Sequence, residues 1–320
     1  MRPLGYVSLT AACLAAGLGT AAAADEIVAI YKSGTQQYFI DQAAGFQAAA
    51  EARGFESRVI NVELDSNLAI NAVADAIAGG AAGIAITAPD QALGPALAAA
   101  AAEAGIPMIA TDDPLVDESG APVPFAGFDG TAMGTKVGER AGALLAESGW
   151  LDSQSYGILS IEVQTLTVCE DRTNAAKEQI VAAGGSADAV VQVPYDGTTD
   201  AALSAAGPQI TANPQVEKWV VVACNDEGVL GGVNALSNAG FQPDDVIAVG
   251  LGAYEACRPW AAGLPSGFKA ALYLSGVDVG AAAANALMDA IENGTPLPPN
   301  TVADTTIVDP DTYADVMPCG

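Results

Sequence analysis

Apolar residues recur along this chain in two alternating rhythms. Short runs at 26–31 (EIVAIY), 83–87 (GIAIT), 218–223 (KWVVVA) and 246–251 (VIAVGL) read as buried strands. Longer Ala-rich stretches at 39–53, 68–78 and 95–103 carry apolar residues at helical spacing. Gly54 and the pair Gly79-Gly80 stop two of these helices, and Ser66 is placed to cap the second. With further strands at 56–62 and 108–111, the first part reads βαβαβαβ. That order predicts a parallel, doubly wound sheet.

The rhythm restarts after Gly130. Helices are expected at 135–148, 171–183, 200–211 and 229–238, alternating with strands at 156–161, 189–193, 218–223 and 246–251. The fold class predicted is therefore α/β, with two similar doubly wound parallel-sheet lobes. A strand at 268–274, a long helix at 277–293 and a last strand at 305–308 cross back between them and form a multi-crossing hinge. The lobes expected are 25–131 plus 275–303 and 132–274 plus 304–320. Two such lobes leave a cleft between the C-terminal edges of their sheets, a preferred place for a small ligand.

Composition narrows the function. The chain has 320 residues, 51% of them hydrophobic, which is long for one core and suits two. Residues 1–24 read as a secretory signal peptide, with Arg2, an apolar stretch at 7–17 and Ala22-Ala23-Ala24 as cleavage site. A lipid anchor at Cys13 is not expected, because that cysteine comes early and the alanine site is cleaner. The mature protein is expected outside the cytoplasm.

There are 38 acids against 11 bases, a formal net charge of −27, which disfavours nucleic acid and anionic membranes as partners. The absence of histidine excludes Ser-His and Cys-His catalysis and His-ligated zinc. Cys169, Cys224, Cys257 and Cys319 lack metal-ligand spacing. In an oxidising compartment they read as one or two disulfides, with three full pairings open and buried thiols as the alternative. No metal and no cofactor are expected.

The strand ends are unusually polar. The first strand runs into Lys32, then Gln36, Tyr38 and Phe39; the fourth ends in Asp112 and Asp113. In the second half, Arg172 opens a helix and Asn225 follows KWVVVA. Carboxylates, amides and cations of this kind hold hydroxyl groups, which donate and accept at once, and aromatic rings cover the apolar face of a sugar. Each residue also has a plainer role. Asp112 suits a turn, Asn225 a helix cap, Arg172 a surface pair with Glu170 or Asp171, and Tyr38 and Phe39 the core.

The stretches KSGTQQYF, TAPDQALG, IATDDPLV, TKVGER, VACNDEGVLGGV and IAVGLG stand in one order across 26–312. In these the chain resembles the periplasmic sugar-binding proteins of ABC importers with the type I fold, its arabinose binders in particular. The resemblance implies that Lys32 reaches the sugar ring oxygen and that Asp113 grips the anomeric hydroxyl, with Asp112 beside it. It implies that Arg172 and Asn225 bind from the other lobe. Gln36 stands where those proteins have Glu, Tyr38 where they have a stacking Trp, and Phe39 beside a matching Phe. A second binding asparagine is replaced by Gly252, and Glu255 is the candidate to fill the gap.

The expectation is a monomeric, non-enzymatic capture protein for a monosaccharide, L-arabinose or a related pentose or hexose, serving an ABC permease in the inner membrane. A sensor for a chemoreceptor is the first alternative. An exported glycosidase is disfavoured, because neighbouring carboxylates on an extended segment point apart rather than flank a bond.

Overall fold

The computed structural model describes residues 24–153, 155–317 and 319. All but the last residue of the expected signal peptide, Cys13 included, lies outside the described residues. The first lobe opens with β1 (Glu26–Tyr31), α1 (Gln37–Ala52), β2 (Glu56–Asn61), α2 (Ser66–Ala78), β3 (Gly83–Ile86), α3 (Gly94–Ala104), β4 (Met108–Asp112) and β5 (Phe125–Gly127). The second contains α4 (Gly130–Glu147), α5 (Trp150–Ser153), β6 (Tyr156–Glu162), α6 (Thr167–Ala182), β7 (Val190–Pro194), α7 (Thr199–Ala212), β8 (Lys218–Ala223), α8 (Asp226–Asn238), β9 (Val246–Gly252), α9 (Tyr254–Ala261) and β10 (Phe268–Leu274). The chain ends with α10 (Gly276–Asn293), β11 (Thr301–Val302) and β12 (Thr305–Val308).

Two six-stranded sheets result, ordered β11-β5-β4-β3-β1-β2 and β12-β10-β9-β8-β6-β7. Within each, the five strands from one lobe's own run take the same order, so the repeat legible in the sequence is a repeat of topology. Pairing is parallel throughout, except that β12 runs antiparallel to β10. The chain changes sheet after β5, after β10 and between β11 and β12. Helix α10 packs on α1 and on β3 and β4, so it covers the first sheet.

The central strands are buried along their whole length because parallel strands covered on both faces need apolar residues at every position. The covering helices approach unusually closely. At Gly45 and Gly280 between α1 and α10, and at Gly134 and Gly138 between α4 and α6, an added Cβ would collide with a backbone carbonyl of the facing helix. The Ala- and Gly-rich composition is thus a packing requirement.

Three features differ from the sequence expectation. Asp65, not Ser66, caps α2, accepting from the backbone N–H of Asn67 and Leu68. Helices α4 and α6 each start earlier than expected, so Arg172 lies in the second turn of α6, whose first residue is Thr167. The short elements β5, β11, α5 and α9 carry too few residues for a periodic signal.

Candidate functional site

Strand order reverses between β1 and β3 in one sheet and between β6 and β8 in the other. Segments leaving the C-terminal ends of these strands diverge there and open a crevice. The two crevices face each other and enclose a cavity of about 510 Å³. The lobes also touch beside it. The N–H of Thr167 donates to Gln91 Oε1 at 2.9 Å, and Gln36 Nε2 stands 3.5 Å from the carbonyl of Gly197. The cleft is shut.

Lys32, Gln36, Tyr38, Phe39 and Asp112 line the cavity from the first lobe, and Arg172 and Asn225 from the second. Asp113 is the exception among the expected residues. It does not line the cavity and is wholly buried behind Lys32, whose ammonium donates to its Oδ2. The cause is local. Asp112 ends β4 at φ +59°, and the N–H of Asp113 donates to the carbonyl of Thr111 at 2.6 Å. This tight three-residue turn replaces the extended segment expected there. Both carboxylates therefore reach Lys32, Asp112 at 3.5 Å, instead of pointing apart.

Burial by itself would lower the pKa of Lys32, but Asp113 and Asp112 outweigh it and hold the ammonium form. Burial pushes the Asp113 carboxyl up against the pull of Lys32. The ammonium also stands 5.5 Å from the centroid of the Phe39 ring. Tyr38 packs edge-on against Phe39, with ring centroids 5.0 Å apart, and its buried hydroxyl has no hydrogen-bond partner among the described residues. The aromatic pair is both core and cavity wall.

Across the cleft, Arg172 is buried and Asp112 Oδ1 lies 3.6 Å from its Nη2. One guanidinium nitrogen, Nη1, donates to the carbonyl of Cys224 at 3.3 Å. Among the described residues, Nε and Nη2 have no hydrogen-bond partner. The surface pair with Glu170 or Asp171 does not form among the described residues. Asn225 does act as the N-cap of α8. Its Oδ1 accepts from the N–H of Gly228 at 2.8 Å and from the Tyr195 hydroxyl at 2.6 Å. Its Nδ2 donates to the carbonyl of Gly197 at 2.9 Å, which leaves one amide hydrogen for anything in the cavity.

Sequence reasoning missed Tyr195, Glu227 and Tyr254, which line the cavity. Tyr195 directly follows β7, so the strand-end rule that found Lys32 would also have found it. Glu227, in the first turn of α8, has its carboxyl pushed up to about 8 by burial and by Asp226. Gly252 has φ +143°, a conformation that disfavours any side chain, and a Cβ there would stand 3.1 Å from the Cβ of Asp226. Asp226 fills that space and accepts from the N–H of Glu255. Glu255 does not fill the gap; it pairs with Arg258 at 3.0 Å and lies outside the cavity lining.

Two disulfides form, Cys169–Cys224 and Cys257–Cys319, which selects one of the three open pairings. Among the described residues there is no cluster of His, Cys, Asp or Glu able to hold a metal ion, and no helix long and apolar enough to cross a membrane.

Residues 27–296 match the periplasmic binding protein domain family. The chain belongs to that family. This binding protein is 33% identical over 305 residues to an ABC transporter L-arabinose-binding periplasmic protein of Azospirillum brasilense, covering 92% of the chain and 90% of the relative. It is 31% identical to the L-arabinose-binding periplasmic protein of Escherichia coli (strain K12), over 70% of the chain and 69% of the relative. Its fold matches a periplasmic solute binding protein of an ABC transporter from Actinobacillus succinogenes 130z with bound D-allose. The TM-score is 0.76 at 21% identity, over 91% of this chain and 99% of that one. These relatives are substrate-binding proteins, not enzymes.

Proposed function

We propose that this binding protein is the periplasmic component of an ABC importer. It captures a monosaccharide, L-arabinose or a related pentose or hexose, and presents the closed form to a membrane permease. The observation that carries the reading is Arg172, a buried guanidinium at the interlobe cavity whose Nε and Nη2 have no hydrogen-bond partner among the described residues, Nη2 meeting only the Asp112 carboxylate at 3.6 Å. Unpaired buried donors are costly, and sugar hydroxyls placed between Arg172 and Asp112 satisfy both. The two relatives named as L-arabinose-binding support the choice of sugar.

Lys32, Gln36, Asp112, Arg172 and Asn225 contact hydroxyls, and Tyr38 and Phe39 cover an apolar face of the ring. Asp113 acts through Lys32 by holding its ammonium. A neutral sugar suits the site better than a sugar acid, because Lys32 already faces two carboxylates and Arg172 faces one of them. Closure is a population shift, so a ligand that touches both lobes favours the shut form. Isothermal titration calorimetry against L-arabinose and a panel of pentoses and hexoses tests the reading. Binding of at least one sugar with micromolar or tighter affinity is expected. Failure of all to bind better than about 1 mM, about −4 kcal/mol, would overturn it.

A further inference from the structure

Cys169 and Cys224 belong to the cavity wall. With Val163 and Val168 they form a small apolar cluster, against which Leu166 and Tyr195 pack. Val163, Leu166 and Tyr195 also line the cavity, so the second lobe presents an apolar patch of its own. The bridge joins two segments that carry polar site residues. Cys169 lies one turn before Arg172 on α6, and Cys224 immediately precedes Asn225. The carbonyl of Cys224 is the hydrogen-bond acceptor for Arg172 Nη1. Without the bridge, the start of α6 is held to the end of β8 by that hydrogen bond and by packing.

We propose that the Cys169–Cys224 disulfide is a positioning element of the ligand site. It fixes Arg172 relative to Asn225 and supplies part of the apolar surface that a bound sugar covers. The second bridge, Cys257–Cys319, ties α9 to the chain end and lines no part of the cavity, so it is an internal control. The inference rests on the monosaccharide reading given above.

The test compares wild type with the double variants Cys169→Ala/Cys224→Ala and Cys257→Ala/Cys319→Ala. The probe is whichever sugar of the panel binds wild type most tightly. Loss of the cavity bridge should weaken binding by about tenfold or more, whereas loss of the remote bridge leaves it within about twofold. Adding Arg172→Ala separates positioning from general stability. It should cost wild type much more affinity than it costs the protein without the cavity bridge, because that arginine is already misplaced there. Additive losses would overturn the proposal.

A second measurement uses the native chain and holds even if the variant fails to fold. Folded protein is exposed to a phosphine reductant and iodoacetamide, and alkylation is followed by mass spectrometry of cysteine peptides. Saturating sugar should slow labelling of Cys169 and Cys224 while leaving Cys257 and Cys319 unchanged. Equal protection of both bridges, or of neither, would overturn the proposal. A wild type that binds no sugar of the panel overturns both readings. A wild type that binds, matched in affinity by the protein without the cavity bridge, overturns this one alone.

Discussion

The carboxylate of Asp112 stands 3.6 Å from the guanidinium of Arg172, one residue from each lobe. Asp112 is also 3.5 Å from Lys32, so a single carboxylate links cations on both sides of the cleft. The spacing to Arg172 exceeds a good hydrogen bond, and the unpartnered Nε and Nη2 remain open to oxygen atoms placed between the lobes. Under the proposed function, ligand binding and lobe closure draw on the same two side chains. Arg172→Ala removes the open donors and leaves Asp112 without its interlobe partner. It should weaken sugar binding by about 3 kcal/mol, more than a hundredfold, read by calorimetry.

Adjacent carboxylates with different surroundings should give different phenotypes. Asp112 lines the cavity, whereas Asp113 is buried under Lys32 with its Oδ1 unpartnered. Asp113→Ala takes a carboxylate from a buried ion pair and should cost stability by about 3–5 kcal/mol, read by urea unfolding of the ligand-free protein. Asp112→Ala removes longer ion pairs, at 3.5 and 3.6 Å, and should cost less stability than Asp113→Ala while losing more affinity. Equal stability losses would show that the two positions are not divided in this way.

Much of this arrangement was legible in the sequence, and the failures have definite causes. Continuous apolar runs marked the central strands, because burial on both faces leaves no room for charged residues in the buried parts, IVAIY and WVVVA, and the charged Glu26 and Lys218 stand only at the less buried first positions. The rule that ligands gather at strand ends then located Lys32, Asp112 and Asn225. It could not separate Asp112 from Asp113, since that difference depends on one left-handed residue at φ +59°. Tyr195 directly follows β7, a strand the pattern did mark at 189–193, so the same rule reaches it; an aromatic residue there suits the core equally well, which is why its place in the cavity wall shows only in the structure. The pairing of cysteines separated by 55 and 62 residues depends on tertiary structure that no spacing encodes.

Helix spacing in the second lobe should also control affinity. Gly134 on α4 faces the backbone carbonyl of Arg172, and an added Cβ would overlap it. Gly134→Ala forces α6 outward, and overpacking of this kind costs about 1–3 kcal/mol. Gly142 sits farther along the same interface, against Ala183. Both alanine variants should lower the melting temperature, but only Gly134→Ala should also weaken sugar binding, because only it displaces the arginine. Comparable affinity losses in the two would show that Arg172 is not placed by this contact.

The cavity acid should leave a signature in the pH dependence of stability. Burial first, then Asp226, raises the Glu227 carboxyl from 4.5 to about 8 in the folded chain. Between those values the folded form holds a proton that the unfolded form has released, so stability falls as pH rises. Asp226 acts with the same sign, raised from 3.8 to about 6, and its contribution ends lower on the scale. Unfolding of the ligand-free protein in urea, followed between pH 5 and 9, should therefore show a decline that continues through pH 8. Glu227→Gln, which keeps the shape of the protonated acid, should flatten that decline above pH 6. A variant that declines in parallel with wild type through pH 8 would show that Glu227 titrates normally and is not held neutral in the cavity wall.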